Sequence, residues 1–159
     1  EYKDFPPFEY MPHEIWFYAP DRKESELEYF QSFESKKVYS FTIIGGETVM
    51  DKHMKSMLQS EYHPIHLLNK NIFGREKHIS IIGPYIITTK LSKTFSKQVD
   101  SAYDNSNTES ELVLKFEKLF KNPGIMRVNI ENDNKKAKLL RKKMMKYFYI
   151  PKELSKKIN

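Results

Sequence analysis

Apolar residues recur at helical spacing in four stretches of the chain, and each stretch predicts an amphipathic helix. The first follows the capping-box pattern Ser25-x-x-Glu28, and the second covers Glu47 to Gln59. The third begins at Thr108 with the same capping-box pattern and stops at Asn122-Pro123-Gly124. The fourth covers Lys135 to Tyr149 and carries an apolar stripe among its lysines: Ala137, Leu140, Met144 and Phe148.

Four shorter apolar runs predict β-strands. Val38 to Ile44 is β-branched and aromatic with almost no polar break, which is typical of a central strand covered on both faces. Ile65 to Leu68 predicts a second strand, and Ile79 to Thr89 predicts a third that Gly83-Pro84 bends or splits. Met126 to Ile130 alternates apolar and polar residues, so we expect a strand that is buried on one face.

The alternation of helix and strand predicts an α/β fold, with a small mixed sheet and flanking helices in a single layered domain over residues 21–134. A basic amphipathic helix and tail follow over residues 135–159. Residues 1–20 hold four prolines and seven aromatic residues without a lasting period, which predicts an extended arm on the surface. The polar stretch over residues 88–110 predicts a loop, with residues 90–107 as an insertion.

Composition narrows the possible chemistry. A chain of 159 residues with 39% hydrophobic and 30% charged residues is typical of one folded domain. The absence of cysteine excludes disulfides, thiolate-bound zinc and a cysteine nucleophile. The apolar runs are shorter than the roughly 20 residues that a membrane-spanning helix requires, so we expect no membrane partner.

Charge is distributed unevenly along the sequence. Residues 135–159 hold ten Lys and Arg residues against one acid, whereas the first 35 residues hold nine acids against three bases. The whole chain has a formal net charge of +6. A dense basic cluster favours a polyanionic partner, with nucleic acid as the first candidate. The alternative is a solvated lysine-rich helix that contributes only to solubility.

The usual catalytic and ligand-binding motifs are absent from the sequence. Gly45-Gly46 joins a strand to a helix, but Glu47 in the first helical turn would repel a phosphate, and no P-loop or dinucleotide motif is present. His63 and His66 are spaced to face opposite sides of a strand, so they do not form a metal pair. We therefore expect a protein that is not an enzyme and that has no catalytic residue, metal site or cofactor.

The segment from Phe41 to Arg75 resembles the N-terminal domain of the ribosomal protein L10/P0 family, which includes related ribosome-assembly factors. Met54-Lys55-Ser56-Met57-Leu58 is similar to the family's helix ending, with Lys in place of Arg. The run from Leu67 to Arg75 is similar to its strand leading into Lys-Asn-Thr, with Ile72 in place of Thr. Gly83-Pro84 matches the Gly-Pro that opens a later strand of the family.

The resemblance implies a non-catalytic, rRNA-binding ribosomal or ribosome-assembly protein that contacts rRNA and neighbouring ribosomal proteins. The matched cations lie where a strand gives way to a loop, and with Asn71 they suit phosphates and base edges of a folded RNA. The basic helix would hold a second RNA segment or an acidic protein partner. The candidate RNA-binding residues are Lys55, Lys70, Asn71, Arg75, Lys77, Lys138, Arg141, Lys142 and Lys143.

Two alternatives stay open at this point. Asn71 and its neighbouring lysines could form an ordinary exposed turn with no binding role. The protein could also be an interaction or assembly module that docks through its aromatic arm and its basic helix. The composition, rich in Lys, Asn, Ile and Tyr, would suit a mitochondrial ribosome, with a cytoplasmic ribosome as the other expected location.

Overall fold

The structure is a computed structural model that describes residues 5–19, 21–122, 124, 126–152 and 154. Its strands are β1 (Phe8–Met11), β2 (Phe41–Ile44), β3 (Ile65–Leu67), β4 (Lys77–Ile82), β5 (Tyr85–Leu91) and β6 (Met126–Asn132). Its helices are α1 (Lys23–Lys36), α2 (Val49–Leu58), α3 (Lys93–Asp104), α4 (Glu109–Lys121) and α5 (Asn134–Met145). None of the helices in the described part of the chain has the length and apolar character needed to cross a membrane.

The strands form one mixed six-stranded sheet with the order β3-β2-β1-β4-β5-β6. Strands β1, β2 and β3 run parallel, as expected for strands joined through helices α1 and α2. Strands β4, β5 and β6 pair antiparallel, and β4 lies antiparallel beside β1. This architecture confirms the predicted α/β class with a mixed sheet.

Helices cover both faces of the sheet. On one face, which we call the α1–α4 face, side chains of helices α1 to α4 pack against strand residues such as Met11, Ile44 and Leu91. On the opposite face, which we call the α5 face, Ala137 and Met144 of α5 pack among Phe8, Tyr10, Phe41, Ile43, Ile79, Ile81 and Ile86. Because side chains alternate along a strand, β1, β2 and β5 contribute residues to both cores.

The N-terminal segment differs from the expected surface arm. Residues Phe8 to Met11 form β1, which lies between β2 and β4 near the middle of the sheet. Phe8 and Tyr10 are fully buried on the α5 face, and Phe8 stacks on Phe41 of β2 at 4.8 Å between ring centroids. Sequence alone showed no strand period here because β1 spans only four residues between prolines.

The predicted loop over residues 88–110 is also wrong. Strand β5 continues to Leu91, and α3 follows with Ser92 as its N-cap, whose side chain accepts a hydrogen bond from the Phe95 backbone. The buried residues of α3 include Phe95, Val99, Ala102 and Tyr103. Four apolar or aromatic residues at helical spacing therefore outweigh the polar composition of the segment.

Other boundaries were predicted with mixed success. The Thr108 cap is confirmed, since its side chain accepts a hydrogen bond from the Glu111 backbone. Gly83-Pro84 splits its run into β4 and β5, and Gly83 adopts a φ of 56° in the turn between them. The cap predicted at Ser25 is wrong, because α1 begins two residues earlier and Arg22 precedes it without a side-chain cap.

Candidate nucleic-acid interface

Three cations stand side by side on the antiparallel half of the sheet. Lys77 of β4 is directly opposite Lys90 of β5, and Lys90 is directly opposite Arg127 of β6. Residues paired in this way point to the same face, and Ile79 and Ile86 place that face on the α5 side. All three side chains are exposed. We call Lys77, Lys90 and Arg127 the cation row.

Like charges placed directly opposite each other destabilise a sheet. Among the described residues, Lys90 has an acidic partner, since its Nζ lies 3.7 Å from Glu76 in a half-exposed ion pair, and this pair compensates the charge of the row only in part. An anionic ligand that binds across three adjacent strands would remove this repulsion. The row therefore has the character of a binding surface for phosphate groups.

Helix α5 adds further lysines to the α5 face. The helix begins after the N-cap Asp133, whose side chain accepts a hydrogen bond from the Lys136 backbone at 3.0 Å. Its buried residues are Ala137, Arg141 and Met144, and this burial leaves Lys138 and Lys142 exposed. The predicted basic character of the helix therefore lies on the same side of the sheet as the cation row.

The loop that follows β3 meets α5 on this face. Lys143 Nζ donates a hydrogen bond to the Ile72 carbonyl at 3.2 Å and lies 4.3 Å from the centre of the Phe73 ring. Phe73 in turn packs edge-on against Tyr10 at 5.1 Å between centroids. Lys143 therefore contacts the loop that contains the exposed Lys70, although these two candidates are distant in sequence.

Asn71 has a structural role in this loop. Its Oδ1 atom accepts a hydrogen bond from the Tyr10 hydroxyl at 3.0 Å, and the same hydroxyl lies 3.3 Å from the Gly74 carbonyl. Asn71 also approaches Gly45 so closely that a Cβ atom there would lie 2.8 Å from Oδ1. This geometry favours the alternative in which Asn71 organises the turn.

Arg75 is part of a charged network above the ends of the parallel strands. Its Nη1 atom lies 2.9 Å from Asp100, whose other oxygen lies 3.4 Å from His13 Nε2. His13 Nδ1 lies 2.9 Å from Asp51, and the imidazole stacks on Tyr103. Because Asp100 neutralises Arg75, this arginine is a weaker phosphate ligand than its exposure suggests.

The same network sets the protonation of its histidine. Burial lowers the pKa of His13, but the hydrogen bonds and charges of Asp100 and Asp51 outweigh burial and raise it to about 9. Burial raises the pKa of Asp100, whereas the neighbouring His13 and Arg75 lower it below its usual range overall. At neutral pH the network therefore contains His13 in its charged form between two carboxylates.

Two expected RNA-binding residues, Lys55 and Arg141, are not part of the exposed basic surface of the α5 face. Lys55 is on α2, which packs against β3. Strand β3 is the edge strand opposite β6, so Lys55 is distant from the cation row. Burial and the charge of Lys55 lower the pKa of His66 on β3. Arg141 is only 1% exposed, and its guanidinium donates to the Gly83 carbonyl and packs on the Phe5 ring. It faces the sheet because it occupies the helix position between Ala137 and Met144.

Lys90 and Arg127 are the residues that sequence reasoning missed. Arg127 occupied a polar position of a predicted strand, and Lys90 followed another predicted strand as the first residue of the expected insertion. Their adjacency depends on strand pairing and register, which short strands with long connections do not reveal. The one signal in the sequence was that each strand carries a basic residue at a polar position of its alternation.

Comparison with known proteins gives no relative for this chain: no known family, curated protein or solved structure matches it. The resemblance to the L10/P0 family therefore stays a hypothesis that depends on its short motifs.

Proposed function

We propose that this protein is a non-catalytic RNA-binding protein that holds RNA against the α5 face, as a component of a ribosome or of its assembly pathway. The observation that carries the proposal is the cation row, in which Lys77, Lys90 and Arg127 are exposed on adjacent strands. Their charges repel one another in the free protein and suit the closely spaced phosphates of a nucleic acid.

The lysines of α5 support the same proposal. Lys138 and Lys142 extend the positive surface on the same side of the sheet, and Lys143 connects it to the loop that carries Lys70. Phosphate contacts of this kind give affinity without base specificity. Selectivity for ribosomal RNA would then depend on its folded shape and on neighbouring proteins.

The alternative of an interaction module docking through its N-terminal arm receives less support. Residues Phe8 to Met11 are bonded on both sides within the sheet, so this part of the arm is not available to a partner. Docking of an acidic protein on α5 stays compatible with the exposed lysines. An RNA-binding measurement separates the two functions.

The experiment measures binding of a fluorescent single-stranded RNA by anisotropy as salt is raised from about 50 to 200 mM. In one variant, Lys77, Lys90 and Arg127 are all replaced by Gln. We expect its affinity to fall at least about tenfold at low salt, and the slope of log affinity against log salt to flatten by about two. Each lost phosphate contact on a single strand removes about 0.7 from that slope.

The matched control replaces Lys52, Lys118 and Lys121, which are exposed on α2 and α4, by Gln. This control loses the same net charge from the opposite side of the molecule and should retain the salt slope. Equal losses in both variants would show that net charge alone drives binding. Absence of salt-dependent RNA binding in the unmodified protein would overturn the proposal.

The ribosomal part of the proposal has its own test. We expect the tagged protein to sediment with ribosomal particles and to lose that association after nuclease treatment. A stable complex that survives nuclease and contains no RNA would instead support the protein-docking alternative.

A further inference from the structure

A cavity of about 470 Å³ lies between α1 and the sheet, on the α1–α4 face. Its floor is formed by Glu9, Ser80, His78 and Thr89 of strands β1, β4 and β5, and α1 forms the opposite wall. A volume of this size is within the range of cavities that bind small molecules. We call this space the acidic cavity.

Three carboxyl groups reach the cavity from three different elements. Glu9 comes from β1, Glu14 from the segment that follows it and Glu26 from α1. Glu26 forms an ion pair with Arg22, the residue that precedes α1. The Tyr29 hydroxyl donates to Glu9 at 3.3 Å, and the Trp16 backbone donates to Glu14 at 2.9 Å. Against three carboxyl groups, Arg22 is the one cationic side chain among the lining residues.

His78 provides a second and independent observation. It is only 6% exposed, and its Nδ1 atom has no hydrogen-bond partner in the described part of the chain. Its imidazole packs edge-on against Trp16, another lining residue, at 5.7 Å. Burial, followed by the charge of His13, lowers the pKa of His78 to about 3, so the ring is neutral and one of its nitrogens can accept a hydrogen bond. A buried polar atom without a partner is costly, so His78 is a lining residue whose hydrogen-bonding capacity the described residues leave partly unused.

We propose that the acidic cavity binds a small organic cation with several N–H donors, of the alkylammonium or guanidinium class. The carboxylates of Glu9 and Glu14 would supply charge and accept hydrogen bonds, the neutral His78 ring would accept a further one, and the Trp16 ring would contact the alkyl part or the cation. Within the described residues, no group of three or more acidic or histidine side chains has the geometry to hold a metal ion. An organic cation therefore fits these groups better than a metal ion does.

Binding to this cavity should depend on pH. Burial raises the pKa of Glu9 to about 7 and that of Glu14 to about 8, with the neighbouring carboxyl groups adding to the effect. The other titratable and charged groups among the lining residues are Tyr10 of β1, Arg22 before α1, Glu26 and Tyr29 of α1, and His78 of β4. Since the carboxyl groups must ionise to attract a cation, affinity should rise as pH increases from about 6 to 9. An alkylammonium ion keeps its charge over this interval, because its pKa resembles that of lysine, about 10.4.

The test uses isothermal titration calorimetry of the full chain with butane-1,4-diamine, with 1-butanol and butanoate as neutral and anionic probes. We expect the diamine to bind at least about tenfold more tightly than either, a difference of about 1.4 kcal/mol. A double variant, Glu9→Gln with Glu14→Gln, should lose at least about tenfold in diamine affinity and most of its pH dependence. His78→Phe preserves a planar ring without an acceptor and should cost a smaller, roughly threefold loss.

The matched control replaces Glu24 and Glu28, which are exposed on α1 and do not line the cavity, by Gln. Equal losses in the control and in the Glu9/Glu14 variant would show a diffuse charge effect and overturn the proposal. Equal affinity for 1-butanol and the diamine would also overturn it, as would binding of neither probe at about 10 mM by calorimetry and chemical-shift perturbation. RNA binding is measured on the same variants, and we expect it to be unchanged. Failure of cation binding is therefore separable from failure of the proposed RNA function.

Discussion

Like charges are grouped on both faces of the sheet, but they are buried on one face and exposed to solvent on the other. On the α1–α4 face, Glu9 and Glu14 line one cavity, and burial raises the pKa of both carboxyl groups. On the α5 face, Lys77, Lys90 and Arg127 stand in a row with their charged ends in solvent. Two carboxyl groups from the acid-rich beginning of the sequence thus lie across the sheet from the cation row and from the basic helix α5.

This difference determines where the electrostatic cost appears. Burial disfavours the charged form of Glu9 and Glu14, and repulsion from neighbouring carboxyl groups adds to this effect, so the cost appears as raised pKa values for both groups. Solvated lysines and arginines stay charged, and their repulsion is reduced by salt or by an anionic ligand. Substitutions on the α1–α4 face should therefore change stability in a pH-dependent manner, whereas those on the α5 face should change RNA affinity in a salt-dependent manner.

Loss of the Asp51 carboxylate should give the largest change in stability. Asp51 is fully buried and binds His13 Nδ1 at 2.9 Å and the Thr48 backbone at 3.0 Å. We expect Asp51→Ala to lower the free energy of unfolding by about 3–5 kcal/mol, because it removes one partner of a buried ion pair. Asp51→Asn should also lower the free energy of unfolding by a large part of that amount, since the amide carries no charge. Urea denaturation followed by circular dichroism measures both.

The pH dependence of the same variants checks the cause. The pKa of His13 is raised to about 9, so its stabilising contribution is complete below about pH 6.5 and is lost as pH rises through about 9. The decline in stability between these limits should be smaller in Asp51→Asn. Asp104→Ala, at an exposed position on α3, serves as the control and should stay within about 0.5 kcal/mol of the unmodified protein. A similar loss at Asp104 would argue against the ion-pair explanation.

A stabilising effect is expected next in size, from Glu14→Gln. Burial raises the pKa of Glu14 to about 8, so the folded protein loses stability as pH rises from about 4.5, where the unfolded chain ionises, to about 8. Gln can still accept the Trp16 backbone hydrogen bond. We therefore expect the variant to be more stable by about 1–3 kcal/mol at pH 9 and nearly unchanged at pH 4. Chemical denaturation at the two pH values measures the difference, with Glu28→Gln expected to show neither effect.

Periodic patterns predicted the elements whose packing is local. The Thr108 cap, the stripe on α2 and the division of β4 from β5 at Gly83-Pro84 all depend on residues close in sequence. Strand β1 could not be predicted in this way, because its four residues gain their conformation from β2 and β4 on either side. Its place in the sheet depends on contacts with residues more than thirty positions away.

The alternation in β6 led to a wrong expectation for a related reason. Val128 and Ile130 point to the α1–α4 face as the pattern indicates, but they are 63% and 65% exposed because β6 is the edge strand. Similarly, the lysines of the basic helix were predictable, while the cation row required the strand register. The sequence contains the charges, and only the tertiary arrangement decides which of them meet.

Substitution of Asp133, the N-cap of α5, should lower the free energy of unfolding less than substitution of Asp51, and for a different reason. The Asp133 side chain accepts a hydrogen bond from the Lys136 backbone at 3.0 Å and is exposed. We expect Asp133→Ala to lower the free energy of unfolding by about 1 kcal/mol, whereas Asp133→Asn should retain nearly all of it, because Asn caps helices as well as Asp does. Comparing Ala and Asn variants at positions 51 and 133 by urea denaturation therefore separates a need for charge from a need for a hydrogen bond. Similar decreases in the free energy of unfolding for Asp51→Asn and Asp133→Asn would contradict the view that Asp51 acts through its charge and Asp133 through a hydrogen bond.

The smallest effect concerns the cost of the cation row in the free protein. Lys77 is directly opposite Lys90, so Lys77→Gln should raise the free energy of unfolding by about 0.2–0.5 kcal/mol at low salt, and the gain should disappear near 1 M salt as the repulsion is screened. The same variant should bind single-stranded RNA a few-fold more weakly, with a salt slope lower by about 0.7. Paired measurements of unfolding and anisotropy on Lys77→Gln test both, with Lys118→Gln as the control on α4. A variant that gains stability without losing RNA affinity would show that the repulsion in the row is unrelated to binding, and that the α5 face resembles the rest of the solvated surface.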